Sequence, residues 1–100
     1  MKKILLVCAA GMSTSLLVNK MKAESEAIGE QVAIEAVAKE TLGEHIDSAN
    51  IVLIGPQIAY LEDDIKTEFA DKNIPINVLN TVDYGMMNGK KILTEALTQI

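Results

Sequence analysis

Four apolar runs of strand length punctuate the chain. Ile4–Val7 (Ile-Leu-Leu-Val) and Ile51–Ile54 (Ile-Val-Leu-Ile) are unbroken. Such runs suit strands buried on both faces, as in the interior of a parallel sheet. Gln31–Val37 alternates instead, with Val32, Ile34 and Ala36 on one side and Ala33, Glu35 and Val37 on the other. Glu35 in that setting predicts an edge strand with one wetter face. Ile76–Leu79 is the fourth run, and Pro75 is tolerable at its start.

Between these runs the period becomes helical. Leu16, Leu17, Val18 and Met21 give one broad apolar helix face, and Gly29 is a stop signal after it. Thr41–Asp47 reads as a brief helix. It holds His45, the sole histidine, which is expected at the solvated surface beside Glu44 and Asp47. Ile58–Asp71 reads as an amphipathic helix with Leu61, Ile65 and Phe69 inward. Thr81–Gly89 is expected to be a loop, its Met86 and Met87 filling core space. A last helix, about Asn88–Gln99, turns Ile92, Leu93, Ala96, Leu97 and Ile100 inward.

Strands alternating with helices imply right-handed crossovers and a parallel sheet covered on both faces. The first strand is the most apolar and belongs near the centre. The expected fold is therefore a single α/β domain with four parallel strands in the order 2-1-3-4. That order puts the topological switch between strands one and three. The loops after Val7 and Ile54 then face each other across a crevice. Gly55, Pro56, Gln57, Ile58 and Tyr60 border it from the second side, with Tyr84 a further candidate. Gln57 is equally readable as an ordinary helix-start residue and Tyr60 as a half-buried packing residue.

The candidate chemistry lies between the first strand and the first helix, at Cys8-Ala9-Ala10-Gly11-Met12-Ser13-Thr14-Ser15. The first turn of a helix has N–H groups without intrahelical partners and carries partial positive charge. Backbone N–H groups from about Gly11 to Ser15 can converge on an anion there. Gly11 permits a backbone conformation that a Cβ would obstruct. Ser13, Thr14 and Ser15 supply hydroxyls, one of which is expected to cap the helix. The same donors favour a thiolate at Cys8 and lower its pKa. A thiolate facing such a cradle can attack phosphorus and hold the phosphoryl group. The competing reading of Cys8 is a small buried hydrophobe at the end of a strand. The hydroxyl-rich turn that follows it favours the first.

Composition narrows the choice. A length of 100 residues with 49% apolar side chains fits one domain with a real core. The net charge of −5 argues against nucleic acid as a partner. No run is long enough to cross a bilayer. Lys2-Lys3 and a very short apolar run do not make a signal peptide. One cysteine forms no internal disulfide, which fits a cytoplasmic protein. No cofactor and no metal are expected. All nine basic residues are lysines, so the chain has no arginine.

Cys8-Ala9-Ala10-Gly11-Met12-Ser13-Thr14-Ser15-Leu16-Leu17-Val18 closely resembles the active-site loop of enzyme IIB components of the lactose/cellobiose class. These belong to the bacterial phosphoenolpyruvate-dependent sugar phosphotransferase system. Leu53-Ile54-Gly55-Pro56-Gln57-Ile58-Ala59-Tyr60 resembles a second stretch of the same family. The likeness spans essentially the whole chain, so residues 1–100 are expected to form one such domain. It implies a four-stranded parallel sheet and a phosphocysteine at Cys8, with Ala9–Ser15 as the phosphate-binding loop. It also implies two partners: enzyme IIA, whose phosphohistidine is the donor, and membrane enzyme IIC, which holds the accepting sugar, a cellobiose-, chitobiose- or lactose-like disaccharide. Direct membrane insertion is not expected. Ala9 stands where some relatives carry a serine, which leaves the backbone cradle intact.

Two alternatives share the fold. A phosphatase of the low-molecular-weight tyrosine phosphatase type needs an arginine six positions after the cysteine to clamp the phosphoryl oxygens. That position is Thr14. A non-catalytic regulatory module is opposed only by Cys8 and the hydroxyls around it.

Overall fold

The structure, a computed structural model, describes residues 1–7 and 12–100, with the backbone alone for residues 12–14. Strands β1 (Lys2–Val7), β2 (Val32–Val37), β3 (Ile51–Ile54) and β4 (Ile76–Val78) form one parallel sheet in the order β2-β1-β3-β4. This is the expected topology. The register aligns the carboxyl ends: Val7 stands opposite Val37 on one side and Ile54 on the other, and Ile54 stands opposite Val78.

Alternation along β1 divides the core into two layers. Ile4 and Leu6 face a layer built with α1 (Met12–Ala27) and the carboxyl-terminal helices α4 (Thr81–Gly85) and α5 (Gly89–Leu97). Leu5 and Val7 face the other, built with α2 (Leu42–His45) and α3 (Glu62–Glu68). Ile4–Val7 are fully buried because both faces of a central strand are covered. Glu35 sits on the β2 edge as expected, half-exposed, with its carboxylate 3.2 Å from Lys3 Nζ and 3.7 Å from His45 Nδ1. His45 lies at the surface with its ring partly exposed.

Helix α1 ends at Gly29, whose φ of +74° is the left-handed conformation glycine adopts freely. The N–H of Glu30 donates to the carbonyl of Ser25 at 2.9 Å, closing the helix end. Leu17, Val18 and Met21 are buried, but Leu16 is 51% exposed and lies off the apolar face assigned to it. Leu16, Leu17 and Val18 are consecutive, and steps of about 100° cannot turn all three fully toward one layer.

Two other expectations need correction. Ile58–Asp71 is not one helix. Pro56 opens a 3₁₀ stretch through Leu61, inside which Ile58 leaves helical geometry (φ −118°, ψ 29°). Helix α3 then begins at Glu62, and a 3₁₀ turn over Ala70–Lys72 follows. Thr81–Gly89 is not a plain loop either: it holds α4, capped by the Asn80 side chain, which accepts from the amides of Val82 (2.8 Å) and Asp83 (3.1 Å). Met86, just past the end of α4, is 70% exposed, whereas Met87, in a left-handed conformation, does pack against the core. The last helix has Asn88 as its cap, with Ile92, Leu93 and Ala96 buried and Leu97 and Ile100 partly so.

Candidate functional site

The carboxyl ends of β1, β3 and β4 are stitched together past the last ladder pairs. The N–H of Gly55 donates to the carbonyl of Val7 at 2.9 Å, and the N–H of Leu79 donates to the carbonyl of Ile54 at 2.8 Å. The segment after β3 folds back at once, with the N–H of Ile58 on the carbonyl of Gly55 at 3.1 Å. Gly55 is buried at this junction. The loop after Ile54 therefore starts directly against the last residue of β1. In a sheet of this order the switch point, where a binding crevice is expected, lies between β1 and β3.

On the other side of β1, helix α1 opens at Met12. Its first turn has no acidic residue. The first turn of α3, by contrast, carries Glu62, Asp63 and Asp64, which compensate that helix's positive end internally. Of the two, α1 is the helix whose amino-terminal charge is left for an external anion.

The sequence-predicted residues differ in where the structure puts them. Cys8, Ala9, Ala10 and Gly11 lie outside the described residues, as do the side chains of Met12, Ser13 and Thr14. Ser15 is exposed near the start of α1. Gly55 is buried and Pro56 half-buried at the end of β3, Gln57 is exposed, and Tyr60 is 78% exposed. Tyr60 is thus not the half-buried packing residue that was the competing expectation. Ile58 is only 3% exposed and packs with Val7, Ile54 and Ile65. It is a core residue, in the same buried cluster as Phe69. Tyr84 is likewise buried, packed among Leu17, Leu79 and Ile92, and so does not present its ring at the surface.

The structure adds apolar residues that the sequence did not nominate for this end. Leu16, Val82 and Met86 are exposed, each in the segment that follows β1 or β4. In a parallel sheet these segments emerge at the same end as the Gly55 loop. A signal existed in Leu16, one of three consecutive apolar residues on a helix; Met86 gave none, because it differs from the inward-packed Met87 only in backbone conformation.

Among the described residues no group of three or more histidine, cysteine, aspartate or glutamate side chains is arranged to hold a metal ion. No described helix is long and apolar enough to cross a membrane.

Comparison with known proteins gives this geometry its context. Residues 3–95 match the family described as "PTS system, Lactose/Cellobiose specific IIB subunit". The chain belongs to that family. As a IIB component it is a phosphotransferase that carries a phosphoryl group in sugar uptake, working with the IIA and IIC components of its system. It is 46% identical over 98 residues to the oligo-beta-mannoside-specific EIIB component of Bacillus subtilis, covering 98% of this chain and 95% of that one. The solution structure of the cellobiose-specific IIB protein from Borrelia burgdorferi is 40% identical, with a TM-score of 0.83 over 98% of this chain and 90% of that one. The lactose-specific IIB domain from Streptococcus pneumoniae has a TM-score of 0.87 at 17% identity, covering 98% and 96% of the two chains, and shows the shared fold.

Proposed function

We propose that Cys8 is the residue that carries the phosphoryl group. Its thiolate sulfur attacks the phosphorus of a phosphohistidine on IIA, the P–N bond breaks and the imidazole leaves. In the second step a sugar hydroxyl held by IIC attacks the same phosphorus. The S–P bond breaks, the thiolate is regenerated, and the hydroxyl proton passes to a base beside the sugar. Backbone N–H groups of Ala9–Ser15 and the hydroxyls of Ser13, Thr14 and Ser15 hold the phosphoryl oxygens.

The observation that most supports this reading is the Gly55–Val7 hydrogen bond, which seats the start of the loop after β3 against the residue before Cys8. The carboxylate-free first turn of α1 supports it from the other side. Residues 1–100 act as one IIB domain at the cytoplasmic face. The names of the relatives, oligo-beta-mannoside and cellobiose among them, support a β-linked disaccharide as the sugar.

The exposed residues Leu16, Tyr60, Val82 and Met86 are the contact patch for IIA and IIC in turn. A carrier loaded and unloaded at one atom must offer the same end of the sheet to both, and transient encounters need only a small patch. Ile58, buried, takes no part in it.

Transfer of label from phosphorylated IIA to sugar, measured with IIC present, tests the assignment. Cys8→Ser should abolish transfer and keep the fold, because a serine hydroxyl is a far poorer nucleophile at neutral pH. Transfer at the native rate by the serine variant would overturn it.

A further inference from the structure

Helices α1 and α5 approach each other with no room for a side chain at one point. Gly89, the first residue of α5, is buried. A Cβ placed on it would lie 2.9 Å from both the carbonyl carbon and the Cβ of Lys20, and 3.0 Å from the amide nitrogen of Met21. Two of those three atoms are backbone, so no change of rotamer relieves the contact. A larger residue must move one helix against the other.

The turn that delivers Gly89 is closely specified. Met87 adopts φ +52°, in the left-handed region that non-glycine residues seldom occupy. Around it the N–H of Met87 donates to the carbonyl of Tyr84 (3.0 Å), that of Asn88 to Asp83 (2.9 Å) and that of Gly89 to Met87 (2.8 Å). The Asn88 side chain then accepts from the amide of Lys91 at 3.1 Å and caps α5. Hydrogen bonds, strain and cap together determine where α5 begins, which is against the middle of α1. One turn further along α5, Leu93 is fully buried in the same layer as Leu17 and Met21 of α1.

α1 is also the helix whose first turn stands beside Cys8 in the chain. Lys20 lies eight residues after Met12, a distance of about 12 Å along the helix. A helix of this length moves as a unit, so its seat at Lys20 governs the position of its first turn.

We propose that Gly89 is a positioning residue for phosphoryl transfer. By letting α5 rest on the backbone of α1, it sets the distance between the first turn of α1 and the carboxyl ends of β1 and β3. This rests on the reading of Cys8 as the phosphoryl acceptor.

Gly89→Ala in the full chain tests it. A shift of a few tenths of an ångström in the first turn should lower the transfer rate at saturating phosphorylated IIA by about tenfold, given that about 1 Å of misplacement can cost ~10²-fold. The KM for IIA should stay unchanged. The pH midpoint of Cys8 alkylation should rise, because the N–H groups that favour the thiolate are displaced. Phe69→Leu, in the opposite core layer, provides a variant that loses stability without touching α1, and it should leave rate and midpoint unchanged. A Gly89→Ala protein that is less stable but keeps the native rate and midpoint overturns the proposal. If Gly89→Ala does not fold, Leu93→Val is compared with Phe69→Leu: a raised midpoint in Leu93→Val alone supports the proposal, and equal midpoints overturn it. A wild-type protein that forms no phosphocysteine would refute the Cys8 reading by itself, and the Gly89 proposal with it.

Discussion

The amide of Gly55 donates to the carbonyl of Val7 at 2.9 Å, joining the loop after β3 to the residue that precedes Cys8. This bond extends the β1–β3 ladder one residue past its last pair, Val7 opposite Ile54. It therefore seats the start of the loop after β3 against β1 by backbone alone, whatever side chains occupy the loop. Helix α1 brings no carboxylate in its first turn to compete with a bound anion.

The first prediction concerns ionisation. On the proposed reading the loop N–H groups favour the Cys8 thiolate, so Cys8 should titrate below the free-cysteine value of about 8.5. The rate of alkylation against pH gives the midpoint directly. A midpoint at or above the free value would mean that these donors do not act on the sulfur in the unloaded protein.

On the proposed reading Tyr60 and Met86, both exposed, belong to the docking patch, whereas Ile58 is buried. Tyr60→Ala and Met86→Ala should each raise the KM for phosphorylated IIA several-fold, about 1 kcal/mol per anchor. Their unfolding free energies should stay within about 0.5 kcal/mol of wild type, as is usual for surface changes. Ile58→Ala should show the opposite pattern, a loss of about 2–5 kcal/mol in stability. Chemical-shift mapping with IIA would settle the location; perturbations confined to the amino end of the sheet would remove this patch from the account.

Asn80 caps α4 through two amides. Asn80→Ala should cost about 1 kcal/mol, read as a lower urea midpoint with an unchanged slope. No loss at all would mean that the other contacts of α4, such as the Lys91–Asp83 ion pair and the backbone bond from Asn88 to Asp83, hold it without the cap.

The phosphorylated protein should be long-lived without its partners. Thr14 stands where a phosphatase of similar fold places arginine, and a guanidinium can contribute ~10³-fold or more to transfer of a phosphoryl group. Thr14→Arg should raise spontaneous phosphate release only modestly, since no acid and no water-positioning group is added with it. Release from the isolated wild-type protein as fast as partner transfer would point to a hydrolase.

The sheet was legible because its signals are local. Unbroken apolar runs at Ile4–Val7 and Ile51–Ile54 identify central strands, and Glu35 marks the β2 edge. The crevice followed from strand order. What escaped depends on backbone detail that hydrophobic spacing does not encode. Ile58 has the right spacing for a long helix with Ile65 and Phe69 and is buried with them, yet Pro56 opens a 3₁₀ stretch and α3 begins only at Glu62. Met86 and Met87 look alike in sequence, yet one is exposed and the other packs inward from a left-handed conformation. Gly89 carries its role only in the distance to Lys20, which no single-chain pattern reveals.

The central claim is that Cys8 accepts the phosphoryl group. Mass spectrometry of peptides, after incubation with phosphoenolpyruvate and the upstream carriers through IIA, tests it most directly. The account predicts one phosphoryl group per chain, on the peptide containing Cys8, discharged when IIC and sugar are added. A phosphoryl group on His45 or on any residue other than Cys8, or none under conditions where IIA is fully loaded, would contradict it.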